Sequence, residues 1–187
     1  DGLSPVISIE QKTTNKSPRS TVGTVTEIYD FLRLLYARAA DAYSYNTNEK
    51  MVSYADVQIK ELILKEFEDK KIVIMAPIVK SRKGHYRELF EQISKQGFVR
   101  VRVDGELLEI TKGMRLDRYK THDIEIVIDR LTVNEASEKR VEESIATALY
   151  SGDNVVMILE HETNNPRYFS SDLMCPTTGI SYPNPEP

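Results

Sequence analysis

The run FVRVRVDGELLEI, Phe98 to Ile110, leaves its part of the chain little conformational freedom. Apolar and charged residues alternate strictly up to Asp104-Gly105, a dipeptide that supplies the positive φ angles of a tight two-residue turn, so the segment is predicted to be a β-hairpin. With a period of two, Phe98, Arg100, Arg102 and Asp104 share one face of its first strand, and Val99, Val101 and Val103 share the other. The valine face needs a core to pack on. The arginine face is then held rigidly, and rigid arginines lose little side-chain entropy when they bind.

The flanking sequence supplies that core. Ile72 to Val79 (IVIMAPIV) is a continuous, short, β-branched apolar run with Pro77 near its end, which predicts a buried strand. Asp123 to Val133 predicts another, with Ile124, Ile126 and Ile128 on one face and Glu125, Val127 and Asp129 on the other, and Asn154 to Leu159 a third. Helices are predicted between them. One runs from a cap at Ser53 to about Asp69 on Val57, Ile59, Leu62, Ile63 and Phe67. A second, about His85 to Gln96, is closed by Gly97 in a left-handed cap, and a third, about Ala136 to Tyr150, ends at Gly152. Upstream, VISIE after Ser4-Pro5 reads as a short strand, KTTNKSPRST as a loop, and Thr24 to about Ala40 as an amphipathic helix begun by the capping box Thr24-x-x-Glu27. Past His161 the sequence turns irregular. The fold class is therefore α/β in the α+β sense: a mixed β-sheet with a β-hairpin and helices packed on one face, preceded by a strand-loop-helix arm.

Composition bounds the function. The 187 residues are 40% hydrophobic and 29% charged, as in a soluble globular protein, and no apolar run approaches the ~20 residues of a membrane helix. A single cysteine, Cys175, excludes an internal disulfide, and no secretory signal opens the sequence, so a cytoplasmic setting is expected. The first residue is not Met and the sequence stops in the proline-rich PNPEP, so both ends read as cut. The net charge of −4 is uneven. Lys80 to Lys120 holds eleven basic residues against six acidic ones, an excess of five positive charges, which leaves nine net negative charges on the rest. Such an island can attract nucleic acid or an acidic protein surface, or can simply be a solvated face.

Catalytic signatures are missing from the sequence. There is no GxxxxGK[ST] or GxGxxG loop, no GxSxG elbow, and the histidines at 85, 122 and 161 form no HxxH or HExxH pair. Cys175 has neither the partners of a zinc site nor those of a Cys-His nucleophile. What remains is the arginine face of the hairpin, suited to docking because arginine often carries interface energy, unless both side chains are spent on Glu106 and Glu109 across the hairpin.

Several segments resemble UvrA, the damage-sensing ATPase of bacterial nucleotide excision repair. GLSPVISIEQKTT followed by SPRSTVGTVTEIYDFLRLLYAR (Gly2 to Arg38) is similar to the stretch between its first phosphate-binding loop and first signature segment. APIVKSRKG (Ala76 to Gly84), QGFVRVRVDGE (Gln96 to Glu106), IEIVIDRLTV (Ile124 to Val133) and CPTTGISYPNPEP follow in the family's order. The resemblance implies three regions: residues 1–50, an arm from the ATP-binding and signature region; residues 51–167, the UvrB-binding domain; and residues 168–187, a return to the signature region. It implies that Gln11 senses nucleotide and Mg²⁺, and that arginines matching Arg100 and Arg130 dock an acidic face of UvrB, with the transcription-repair coupling factor competing for the site. Taken with the basic island, the expected docking residues are Arg100, Arg102, Arg130, Lys80 and Arg82. ATP, Mg²⁺, DNA and self-dimerisation are expected to involve parts of the parent outside these residues, so no catalysis is expected of this chain. Many relatives carry CPxCG at the start of a zinc module. Here Thr178 stands where the second thiolate would be, so zinc is not expected at Cys175. The alternative reading is a basic module that contacts DNA directly, which steep salt dependence would reveal.

Overall fold

The computed structural model describes residues 28–161, 163 and 165–184. Gln11, the expected strand after Pro5, the capping box Thr24-x-x-Glu27 and the final PEP lie outside the described residues. The chain divides into two compact units, and Asp41–Asn184 forms the larger. The smaller contains helix α1 (Ile28–Ala39), whose apolar residues Ile28, Leu32, Leu35 and Tyr36 recur at helical spacing with exposed side chains.

The larger unit is an α+β domain built on one six-stranded sheet. Its strands are β1 (Lys71–Lys83), β2 (Arg100–Val103), β3 (Glu106–Glu109), β4 (Thr121–Thr132), β5 (Val155–Glu160) and β6 (Pro166–Ser170). They are ordered β3-β2-β4-β1-β5-β6, and each of the five ladders is antiparallel. Helices α2 (Asp56–Glu66), α3 (Arg87–Lys95) and α4 (Glu138–Ser151) pack on one face. There Ile59 and Ile63, Phe90 and Ile93, and Val141, Ile145 and Ala148 meet Ile72, Ile74, Ala76, Val101, Ile124, Ile126 and Ile158. Each fully buried side chain of this size contributes about 1.5–3 kcal/mol, so this layer is where the sheet is held. The residues of opposite parity, Val73, Met75, Val127, Met157 and Leu159, form a second cluster on the other face, with Tyr168 packed against it.

The hairpin forms as its turn chemistry requires. Asp104 and Gly105 have φ of 51° and 95°, and Arg100 pairs with Glu109 while Val103 pairs with Glu106. The expected alternation stops short at its start, however. β2 begins at Arg100, so Phe98 packs against the helix-side core while Val99 is exposed. Gly97, at φ 96°, turns the chain there, and the Phe98 N–H bonds the Ile93 carbonyl, which sets Phe98 outside the pleat. Helix α2 is preceded by Ala55 rather than capped by Ser53, and Gln58 Oε1 accepts the Ala55 N–H at 2.9 Å. Past His161 the irregular stretch contains a strand: Pro166 opens β6 on the sheet edge, where a missing N–H forfeits no ladder bond. A two-stranded ribbon, β7 (Leu173–Met174) with β8 (Ser181–Tyr182), follows.

Candidate docking face

The pleat of β2 and β4 sorts the expected docking residues. Arg102 pairs in register with Glu125, which alternates with the buried Ile124 and Ile126, so Arg102 and Glu125 lie on the face away from the helices. Arg100, two residues earlier, shares that face. In β4 a register shift at Ile128 reverses the phase, so Asp129 stands opposite Ile74 and Arg130 opposite Val73. Asp129 therefore turns toward α4 instead of joining Glu125 and Val127, and Arg130 moves to the helix-free face.

Asp129 is fixed there by a dense set of bonds. Its carboxylate accepts Arg140 Nε at 2.7 Å, Arg140 Nη2 at 2.6 Å, the Ser144 hydroxyl at 3.0 Å and the Arg130 N–H at 2.7 Å. The Arg140 hydrogen bond, opposed by burial and aided by the Arg130 N–H, holds its carboxyl below the usual range. The backbone of Arg130 is thus anchored, while its side chain is exposed and makes no ion pair among the described residues.

The two hairpin arginines differ. Arg100 is exposed, with Nη2 at 3.4 Å from Glu109 on the neighbouring strand. Arg102 is drawn down to 13% exposure and lies 3.4 Å from Glu125, which is 6% exposed. Burial pushes the Glu125 carboxyl up to about 7 against the opposing pull of Arg102, and the Arg102 Nε is buried with no hydrogen-bond partner. Of the two hairpin arginines, only Arg100 meets a carboxylate of the hairpin, Glu109, and Arg102 is taken by Glu125 of β4.

Lys80 joins this corner of the face. Its ammonium sits 4.5 Å from the centre of the Tyr168 ring and donates to the Thr178 carbonyl, and burial lowers its pKa. Together with Pro77, Arg102, Asp123, Glu125 and Tyr168 it lines a cleft of about 300 Å³. Arg82 does not belong: it pairs with His122, which is in phase with Ile124, so its register position is on the helix side. The sheet thus brings Lys80 and Arg102 to one end of the helix-free face and Arg130 to the other, with Arg100 between them. Glu125 and Tyr168 were missed from the sequence. A single carboxylate inside the Ile-rich β4 was the available signal for Glu125, but nothing marked Tyr168, whose strand was read as irregular.

Cys175 is buried where two turns meet. Its Sγ lies 3.3 Å from Thr47 Oγ1 and 3.4 Å from Glu49 Oε2, and Thr177 donates to the other Glu49 oxygen at 2.9 Å. Burial alone would raise the thiol, but hydrogen bonds from Thr178, Thr47 and Ser44 bring it down to about 7. Among the described residues no three His, Cys, Asp or Glu side chains are grouped to hold a metal ion, and no helix is long and apolar enough to cross a membrane.

Fold and face together define an α+β module whose helix-free sheet face carries Lys80, Arg100, Arg102 and Arg130. The family described as the UvrA interaction domain matches residues 55–162, which is more than half of the chain, and the chain belongs to that family. It is 46% identical over 187 residues to UvrABC system protein A of Lactococcus lactis subsp. lactis, covering 100% of this chain and 20% of that relative. The corresponding protein of Thermus thermophilus is 43% identical over 189 residues, covering 100% and 20%, and that of Mycobacterium bovis 43% identical over 181 residues, covering 94% and 19%. The chain thus spans about a fifth of the length of the curated relatives it matches.

Proposed function

We propose that this chain is the UvrB-docking part of a UvrA protein and acts in nucleotide excision repair in the cytoplasm by binding an acidic surface of UvrB. The observation that carries the reading is the placement of Arg100 and Arg130, both exposed, on the helix-free face of one sheet within a segment matched by the UvrA interaction domain. Arginines fixed on strands lose little freedom on binding, and charge-assisted pairs across a desolvated interface are worth on the order of 2 kcal/mol or more when one partner is truncated. Residues 51–167 form the docking domain in this reading, with residues 1–50 and 168–187 belonging to the ATP-binding and signature region. Arg102 and Lys80 border the same surface, and the transcription-repair coupling factor competes for it. In the longer protein Gln11 senses nucleotide and Mg²⁺, and the rest of the ATP site and the self-dimer contacts lie elsewhere.

Titration calorimetry of the chain with purified UvrB, without DNA or ATP, tests this. One-to-one binding that Arg100→Ala and Arg130→Ala each weaken about 30-fold, the equivalent of 2 kcal/mol, is expected. Wild-type affinity in both variants would remove this face from the interface.

A further inference from the structure

A second charged surface lies at the far end of the sheet from Arg130, and the docking reading does not use it. Between β3 and β4 the loop of residues 111–120 holds Lys112, Arg115, Arg118 and Lys120 against one acidic residue, Asp117. It is a built loop. Met114 and Leu116 pack against the main core, the Leu116 N–H bonds the His85 carbonyl at 2.9 Å, and the Lys120 N–H bonds the Asp117 carbonyl at 3.2 Å. The buried His122 fixes it further, with Nε2 at 2.8 Å from the Asp117 carbonyl and Nδ1 at 2.6 Å from Asp104. Asp117 also spends a carboxylate oxygen on the Tyr119 N–H at 3.0 Å.

The fold presses this loop against the start of α3, and His85, Arg87, Arg115, Leu116 and Arg118 line a cleft of about 420 Å³. Three arginines line the cleft and no carboxylate does. Arg87 is balanced by Glu91 at 3.0 Å, whereas Arg115 and Arg118 make no ion pair among the described residues. Holding like charges together costs free energy that an anion recovers. The Arg118 guanidinium also lies 5.1 Å from the centre of the Tyr119 ring, which is 74% exposed, so a flat cation-aromatic surface borders the cleft. Lys83, paired with Thr121 at the adjoining strand end, extends the positive ridge.

We infer that the cleft of His85, Arg87, Arg115 and Arg118 is a contact site for the phosphodiester backbone of a nucleic acid, separate from the docking face. Along β4, Arg130 lies nine residues beyond Thr121, about 30 Å at ~3.3 Å per residue, and Arg100 is level with Val127, about 20 Å beyond Thr121, so both surfaces can be occupied at once. The exposed, unpaired arginines suit phosphates better than a protein anchor: the cleft offers one leucine and no apolar pocket.

The test is fluorescence anisotropy of a labelled short DNA duplex with the full 187-residue chain, followed from about 50 to 200 mM salt. The Arg115→Ala/Arg118→Ala variant is expected to bind about tenfold more weakly at the low end and to lower the salt slope by about two, since each phosphate contact adds about 0.9. The charge-matched Lys65→Ala/Lys139→Ala variant, on the surfaces of α2 and α4, should behave as wild type, and circular dichroism checks that both variants fold. Equal behaviour of the two variants, or no duplex binding by the wild type at low salt, overturns the inference. So does polyglutamate that displaces the duplex as effectively as unlabelled DNA, which would reassign the ridge to an acidic protein.

Discussion

Arg102 stands directly across the ladder from Glu125, and the two side chains form an ion pair at 3.4 Å beneath the surface of the helix-free face. A buried pair of this kind is strongly unequal to its parts. Losing the base strands a carboxylate in apolar surroundings, whereas Arg100, exposed beside Glu109, pairs in solvent and contributes little to stability.

Arg102→Ala is therefore expected to lower the unfolding free energy by about 3 kcal/mol, and Arg100→Ala by less than about 1 kcal/mol. Urea denaturation of the two variants at neutral pH measures the contrast. Similar losses would mean that the buried pair has no special weight.

The raised Glu125 pKa makes stability depend on pH. With the folded carboxyl at about 7 and an ordinary value of 4.5, the native state holds a proton that the unfolded chain has released between those two values. Stability from this group is thus fully present below 4.5 and falls as pH rises to about 7, by roughly 3 kcal/mol in total. Glu125→Gln should remove that component, so the difference in unfolding free energy between variant and wild type should grow from pH 5 to pH 8. A constant difference would contradict it.

Asp129 positions Arg130 through the arginine's own N–H and ties β4 to α4 through Arg140 and Ser144. Asp129→Ala should cost about 2 kcal/mol of stability by stranding these donors, and should weaken UvrB binding in calorimetry even though the Arg130 side chain is intact. Arg140→Ala, which leaves the Arg130 N–H bond in place, is expected to cost stability with a smaller loss of binding. The opposite ranking would separate Asp129 from docking.

The turns at Ser44-x-x-Thr47 and Cys175-x-x-Thr178 meet at Cys175, whose Sγ lies 3.3 Å from Thr47 Oγ1 and whose thiol is brought down by hydrogen bonds from Thr178, Thr47 and Ser44. Replacing Ser44, Thr47 and Thr178 together by cysteine creates two C-x-x-C turns facing each other, a tetrahedral thiolate set. The triple variant should bind one zinc ion tightly and gain stability that a chelator removes, as followed by competition with a chromogenic chelator and by thermal unfolding. Stoichiometry no greater than that of the wild type would show that the turns do not converge as described.

The periodicity of β2, the Asp104-Gly105 turn and the apolar run in β1 were legible in the sequence because each is a local rule obeyed within a few residues. So was the position of Arg100. The phase of Arg130 was not, because the bulge at Ile128 is decided by how β4 fits β1, not by β4 alone. Phe98 was placed on the wrong side because Gly97 delays the start of the strand. Strand β6 escaped notice since it is short, opens with proline and owes its order to the edge of a sheet formed by distant residues. The Arg102 to Glu125 pair depends on strand neighbours 23 residues apart, which no local pattern reveals.

The backbone exchange between Val52 and Met174, with N–H to carbonyl distances of 2.9 and 2.8 Å, joins the first and last parts of the domain side by side. Everything between them leaves from and returns to points about one strand spacing, ~4.8 Å, apart. A domain with such a doorway can be spliced into a surface loop of a host protein without prying the host open, and its interior can drift in sequence or tilt on the paired stem while the host keeps its shape.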